Sequence, residues 1–320
     1  MGSETSQKLP VIDFTNINLA NRELVKSQIY DALVEYGCFE ATFDKIPLDL
    51  RKAIFGSLEE LFDIPLEKKQ VNVCKMKHQG YVGQSPYVPL FESLSIDYPN
   101  DFERVNTITN IRWPQGNLNF SKTIHSFTEN VTELDEMIRK MILESLGVEK
   151  YMEEHMNSTD YLLRVMKYKG PQTSDPKIGL LTHTDQSIFT ILYQNEVGGL
   201  EVLTKDEKWI SYNPSPNSFV VMSGDSLHAW SNGRLHSPLH RVMMSGNETR
   251  YCVALFTIPK DGCIIKAPEE LVDEEHPLLY KPFDFAELLN YRYSEKELLN
   301  YRYSEKGLRD KHVLRAYCGV

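Results

Sequence analysis

Phe219-Val220-Val221-Met222-Ser223-Gly224-Asp225 is a run of four apolar residues stopped by a turn signal, and its texture decides the reading of the fold. A short apolar run between turns marks a short strand. The same texture recurs at Leu162-Leu163-Arg164-Val165-Met166 and at Tyr251-Cys252-Val253-Ala254-Leu255-Phe256. Turn signals fall between such runs, at Val197-Gly198-Gly199, Asn213-Pro214-Ser215-Pro216 and Ser231-Asn232-Gly233. Strands this short, spread over about 100 residues from Tyr161 onward, predict a β-sandwich or jelly roll.

Upstream the period changes. Leu24, Ile29 and Leu33 stand at near-helical spacing, as do Leu50, Ile54, Leu58 and Leu61. Ile124, Phe127, Val131, Leu134, Ile138 and Met141 form the clearest stripe, which predicts one long amphipathic helix packed along a sheet. Residues 71–118, rich in Gly, Pro, Tyr and Asn, read as loops with short strands, and Leu9-Pro10-Val11-Ile12-Asp13-Phe14 reads as a strand. Helices first and strands after predict an α+β, mainly β fold, its core buttressed by helices. The expected division is a mostly helical region over 1–155, a β core over 156–265 and a helical segment over 266–320. That last segment repeats a decapeptide, residues 288–297 and 298–307, and two copies are too few for a solenoid.

Of the 320 residues 41% are hydrophobic and 25% charged, ordinary values for a globular protein. No stretch approaches the roughly 20 apolar residues of a membrane span, and the polar start, Met1-Gly2-Ser3-Glu4, has no apolar signal core. A cytoplasmic protein is expected, with a monomer as the default. Five scattered cysteines without a CxxC pair predict free thiols. The net charge of −10 disfavours nucleic acid and anionic membranes as partners, which leaves a small molecule. An anionic cosubstrate then needs a local cation.

Side chains two apart on a strand share a face, so in Leu181-Thr182-His183-Thr184-Asp185 the imidazole of His183 and the carboxylate of Asp185 point together. A third, distant histidine completes the two-His-one-carboxylate set typical of non-haem iron(II) oxygenases. His228, His236 and His240 lie inside the β region, and His240 stands out for its downstream neighbours. Arg241-Val242-Met243-Met244 reads as a strand, Ser245-Gly246-Asn247-Glu248-Thr249 as a turn, and Arg250 opens the return strand of a hairpin. On that strand Arg250, Cys252, Ala254 and Phe256 share a face. A guanidinium there grips a carboxylate through two parallel hydrogen bonds, which suits a dicarboxylate such as 2-oxoglutarate.

Taken together, residues 9–14, the His183-Thr184-Asp185 motif, Ser231-Asn232-Gly233 and the run from Ser237 through His240-Arg241-Val242 and Arg250 to Ile258-Pro259 resemble the plant 2-oxoglutarate- and Fe(II)-dependent dioxygenases. Within them the chain looks most like the specialised-metabolism group of AOP-type enzymes. The resemblance implies a double-stranded β-helix (jelly-roll) core and an enzyme using Fe(II), 2-oxoglutarate and O₂, with ascorbate as reductant. It implies hydroxylation, desaturation or oxidative dealkylation of a small specialised metabolite or hormone-like molecule, with release of succinate and CO₂. It makes His183, Asp185 and His240 the iron ligands and Arg250 the anchor of the distal carboxylate. Tyr168 is then a hydrogen-bond donor to the cosubstrate, and Phe256, Tyr87 and Phe91 are substrate contacts. Two positions depart from the family pattern: Cys252 replaces the serine of Arg-x-Ser, and Met166 stands where many relatives carry asparagine. Three alternatives stay open: an oxidase that dispenses with 2-oxoglutarate, like the aminocyclopropane-carboxylate oxidases; a non-catalytic small-ligand-binding relative; and a zinc hydrolase built on the same His and Asp, disfavoured because no water-activating base beyond the triad is apparent.

Overall fold

The apolar run beginning at Phe219 is a strand with both faces covered. In a computed structural model that describes residues 8–76, 79–83, 85–294 and 312–320, Ser218–Ser223 is buried at every position. Phe219 and Val221 join a cluster shared with the helices, while Val220 and Met222 join a second cluster shared with a facing sheet. A strand buried on both sides reads as a continuous apolar run instead of an alternating one.

The elements run β1 (Val11–Asp13), α1 (Arg22–Glu35), β2 (Cys38–Thr42), α2 (Leu48–Asp63), α3 (Leu66–Gln70), β3 (Tyr81–Val82), β4 (Phe91–Asp97), α4 (Phe102–Arg112), α5 (Leu118–Ser145) and α6 (Met152–Asn157). There follow β5 (Thr159–Tyr168), β6 (Thr173–His183), β7 (Phe189–Gln194), β8 (Leu200–Leu203), β9 (Trp209–Ser211), β10 (Ser218–Ser223), α7 (Asp225–Trp230), β11 (His240–Gly246) and β12 (Arg250–Pro259). β13 (Ile264–Ile265), β14 (Phe283–Asp284), α8 (Phe285–Arg292) and a closing helix, His312–Cys318, complete the described chain. Among the described residues an eight-stranded sheet has the order β1-β2-β10-β7-β12-β5-β4-β3, and a four-stranded sheet the order β6-β11-β8-β9. The jelly-roll architecture is present as these two facing sheets. Strands from both sides of residue 156 enter the large one.

The long helix forms as its stripe predicts: α5 has 28 residues, and Ile124, Phe127, Val131, Leu134, Ile138 and Met141 are all buried. A hydrogen-bond network ties it to the sheet. Arg139 Nε donates to Asp135 Oδ2 at 2.9 Å, the Tyr161 hydroxyl on β5 donates to the same oxygen at 2.9 Å, and Thr257 Oγ1 on β12 donates to Asp135 Oδ1 at 2.7 Å. His155 lies against Arg139, and burial followed by that cation pushes its pKa down to about 3, so it stays neutral.

Three expectations need correction. On α1 the inward face is Val25, Ile29, Ala32 and Leu33, and Leu24 is 62% exposed. Residues 71–118 hold β3 and β4 as expected and also α4, capped by the Asp101 carboxylate, which accepts from the amides of Glu103 and Arg104. The buried side of α4 mixes Val105 and Ile108 with Thr109 and Arg112, so it leaves no apolar stripe to read. The third correction is topological. β11 and β12 are not a hairpin: β11 pairs with β6 and β8 in the small sheet, whereas β12 pairs with β5 and β7 in the large one. The turn between them crosses from one sheet to the other. Residues 1–7, His78 and the second copy of the decapeptide lie outside the described residues.

Candidate active site and metal centre

The two sheets enclose a cavity of about 660 Å³, lined from the small sheet by His183 and His240 and from the large sheet by β5 and β12. Cross-strand register creates the metal centre. His240 sits directly opposite His183 in the β6–β11 pair, with ring centroids 4.2 Å apart. β6 ends at His183, so Asp185 lies two residues past the strand, in a loop; strand alternation is therefore not what aims it. Asp185 Oδ1 is 3.7 Å from His183 Nε2 and 3.8 Å from His240 Nε2, and the three ligand atoms lie within 4.8 Å of one another.

Neighbours fix how each donor presents itself. His183 Nδ1 lies 2.7 Å from the Leu181 carbonyl, and His240 Nδ1 lies 3.3 Å from that of Pro238. A carbonyl oxygen only accepts, so both Nδ1 atoms carry the proton and both Nε2 lone pairs are left for a metal. Thr190 Oγ1 donates to Asp185 Oδ2 at 2.6 Å, which turns Oδ1 toward the imidazoles. The loop itself is held by Asp225. Its carboxylate accepts from Thr184 Oγ1 at 2.9 Å and Ser237 Oγ at 2.7 Å, and its amide donates to the Asp185 carbonyl at 2.7 Å. Two imidazoles and one carboxylate presented together are the donor set of non-haem Fe(II) centres. Neither His228 nor His236 lines the cavity; His228 is engaged elsewhere, with Nδ1 on the Leu235 carbonyl and Nε2 2.9 Å from the Tyr280 hydroxyl.

Across the cavity Arg250 is 1% exposed. Its Nη2 donates to Gln194 Oε1 at 2.7 Å and its Nη1 to Cys252 Sγ at 3.2 Å, while its guanidinium lies 5.0 Å from the Tyr168 ring centroid. Its Nε has no partner among the described residues. Burial pushes the Cys252 thiol up, so the sulfur meets Arg250 as a neutral thiol, not a counter-ion. Burial likewise raises the Tyr168 phenol and keeps it a donor; its hydroxyl meets Met166 Sδ at 3.7 Å. A buried cation surrounded by neutral groups is costly unless an anion joins it.

The remaining expected contacts all line this cavity, in different ways. Phe91 is buried and its ring is 5.0 Å from that of Tyr168; Phe256 is half-buried; Tyr87 is 58% exposed, at the rim. Residues the sequence reading missed are Thr190, Gln194 and Asp225. Gln194 stands opposite Cys252 in the β7–β12 register, a placement that no spacing along the chain announces. Asp225 was visible only as part of a turn.

Comparison with known proteins agrees with this geometry. Residues 159–259 match the 2OG-Fe(II) oxygenase superfamily model, and residues 9–106 match the model of the N-terminal region of non-haem dioxygenases in morphine synthesis. Over 300 residues, 91% of this chain and 92% of the relative, the sequence is 50% identical to the probable 2-oxoglutarate-dependent dioxygenase AOP1.2 of Arabidopsis thaliana. The 2-oxoglutarate-dependent dioxygenase AOP2 of the same plant is 34% identical, over all of this chain and 99% of that protein. Among solved structures, the rice dioxygenase for auxin oxidation superposes with a TM-score of 0.80 at 28% identity, covering 98% of this chain and all of that one. With half of its residues shared across nine-tenths of its length, the chain belongs to the AOP-like group of plant 2-oxoglutarate- and Fe(II)-dependent dioxygenases.

Proposed function

We propose that His183, Asp185 and His240 hold Fe(II), that Arg250 binds the distal carboxylate of 2-oxoglutarate, and that a small organic substrate is oxidised in the remaining cavity. One observation carries this reading: a guanidinium with neutral partners and an unpartnered Nε is buried in the wall facing the two-His-one-carboxylate set. Fe(II) with 2-oxoglutarate supplies the oxidising chemistry when bound, with ascorbate as external reductant. The chain's own part is positional. Arg250, steadied by Gln194, orients the diacid. Tyr168 adds a hydroxyl donor, and the apolar walls exclude water.

Anaerobic titration of the protein with Fe(II) and 2-oxoglutarate tests the assignment. A weak visible charge-transfer band is expected, and succinate should form in step with substrate oxidation once O₂ is admitted. Substrate oxidation without succinate would remove 2-oxoglutarate from the scheme.

Two neighbours give graded predictions. Thr190→Val removes the hydroxyl that holds Asp185 Oδ2, and partners of metal ligands typically matter by about 10–100-fold. Fe(II) affinity is expected to fall by that order, read by metal titration with the fold intact. Cys252→Ser replaces a thiol with a hydroxyl, a stronger donor toward a carboxylate. One such hydrogen bond is worth about 1 kcal/mol, so the KM for 2-oxoglutarate is expected to drop roughly five-fold at unchanged kcat. An unchanged KM would mean that position 252 does not meet the cosubstrate.

A further inference from the structure

We infer that Arg292 of α8 is a positioning residue of the metal centre, its guanidinium holding the peptide carbonyl that lies between His183 and Asp185. This rests on the reading of His183, Asp185 and His240 as Fe(II) ligands. α8 buries Phe285, Leu288, Leu289 and Arg292, which stand at i, i+3, i+4 and i+7 and so share one helix face. The three apolar members pack with Leu162 and Ile258 of the large sheet. The fourth is a cation only 5% exposed, and a buried charge is costly unless polar groups receive it. Its Nη2 donates to the Thr184 carbonyl at 3.3 Å.

That carbonyl belongs to the stretch where the chain has just left the sheet. β6 stops at His183, and Thr184, Asp185 and Gln186 pair with no strand. The peptide unit joining Thr184 to Asp185 is planar, so two soft dihedrals set its orientation, and these aim the Asp185 carboxylate relative to the His183 imidazole. Asp225 holds Thr184 Oγ1 and the Asp185 carbonyl, and Thr190 holds Asp185 Oδ2. Arg292 adds a charged donor, stronger than a neutral one, from 108 residues further along the chain. Docking of α8 therefore completes the support of the metal loop. Arg292 also lines the cavity, and its charge and its hydrogen bond act in opposite directions on a ferrous ion. By Coulomb repulsion a nearby cation weakens Fe(II) binding. By fixing the loop that presents a ligand, a donor strengthens it. The sign of the change on removing the side chain separates the two.

Fe(II) affinity is titrated anaerobically in the full chain without substrate, and the visible charge-transfer band of the Fe(II)–2-oxoglutarate complex is recorded at saturating metal. Arg292→Met removes the donor and Arg292→Gln shortens its reach. Both are expected to lower Fe(II) affinity about ten-fold, the order typical of partners that orient metal ligands, and to shift or broaden the band. Arg292→Lys keeps a donor and should retain part of the affinity. The rise in melting temperature on adding Fe(II), measured against each variant's own metal-free protein, separates metal binding from any change in the fold. Arg302 occupies the same Asn-Tyr-Arg-Tyr context in the second decapeptide, so Arg302→Met is the matched control, expected to bind Fe(II) as wild type does. Wild-type affinity and band in a folded Arg292→Met or Arg292→Gln, or tighter Fe(II) binding in either, overturns the proposal. So does a loss equalled by Arg302→Met, or a defect that shows only once a substrate is added. Failure of the underlying metal assignment is separately visible, as wild type whose Fe(II) affinity is untouched by Asp185→Ala.

Discussion

Arg250→Ala is expected to raise the 2-oxoglutarate concentration needed for half-maximal turnover more than about 100-fold. The buried carboxylate would lose its partner in a wall where Gln194 and Cys252, the groups now bonded to Arg250, offer only a neutral amide and a thiol. Breaking a buried charge pair by removing one member costs about 3–5 kcal/mol, and each step of roughly 1.4 kcal/mol is ten-fold in affinity. The proposed iron ligands are two histidines of the facing sheet and Asp185 in the loop after β6, so metal binding without cosubstrate should persist. Arg250→Lys should recover only part of the loss, because an ammonium is a point charge where a fork is required. A direct titration of 2-oxoglutarate against the Fe(II) protein decides it. An enzyme of this fold that ignores 2-oxoglutarate would show no change in turnover.

Asp185→Ala is expected to abolish turnover by at least about 1,000-fold, roughly 4 kcal/mol in the barrier, and to cost the protein its tight hold on Fe(II). Asp185 supplies the one negative donor beside two neutral imidazoles. Without it the ion loses both a ligand and charge compensation. Folding should survive, because the carboxylate sits in a loop past β6 and bonds only to the Thr190 hydroxyl among the described side-chain hydrogen bonds. Metal content after dialysis, together with a thermal melt, separates loss of the centre from loss of the fold. A variant that keeps both iron and turnover would show that the metal lies elsewhere.

The candidate donors and the candidate anchor were legible along the chain, because residue type and short spacing are local properties. His183 and Asp185 stand two apart, and Arg250 follows His240 by ten. The apolar stripe of α5 and the continuous apolar run of β10 also announce burial on one helix face and on two strand faces. Other features had no such signal. The pairing of His240 with His183, the crossing from β11 in one sheet to β12 in the other, and the placement of Thr190 and Gln194 against Asp185 and Arg250 arise from register between strands distant in sequence. Register is set by how two sheets and a layer of helices bury their faces together, a collective choice that no local window contains. Donor types and fold class are therefore written along the chain. That three donors meet, and that Arg250 stands in the wall facing two of them, follows only from how the sheets pair and pack.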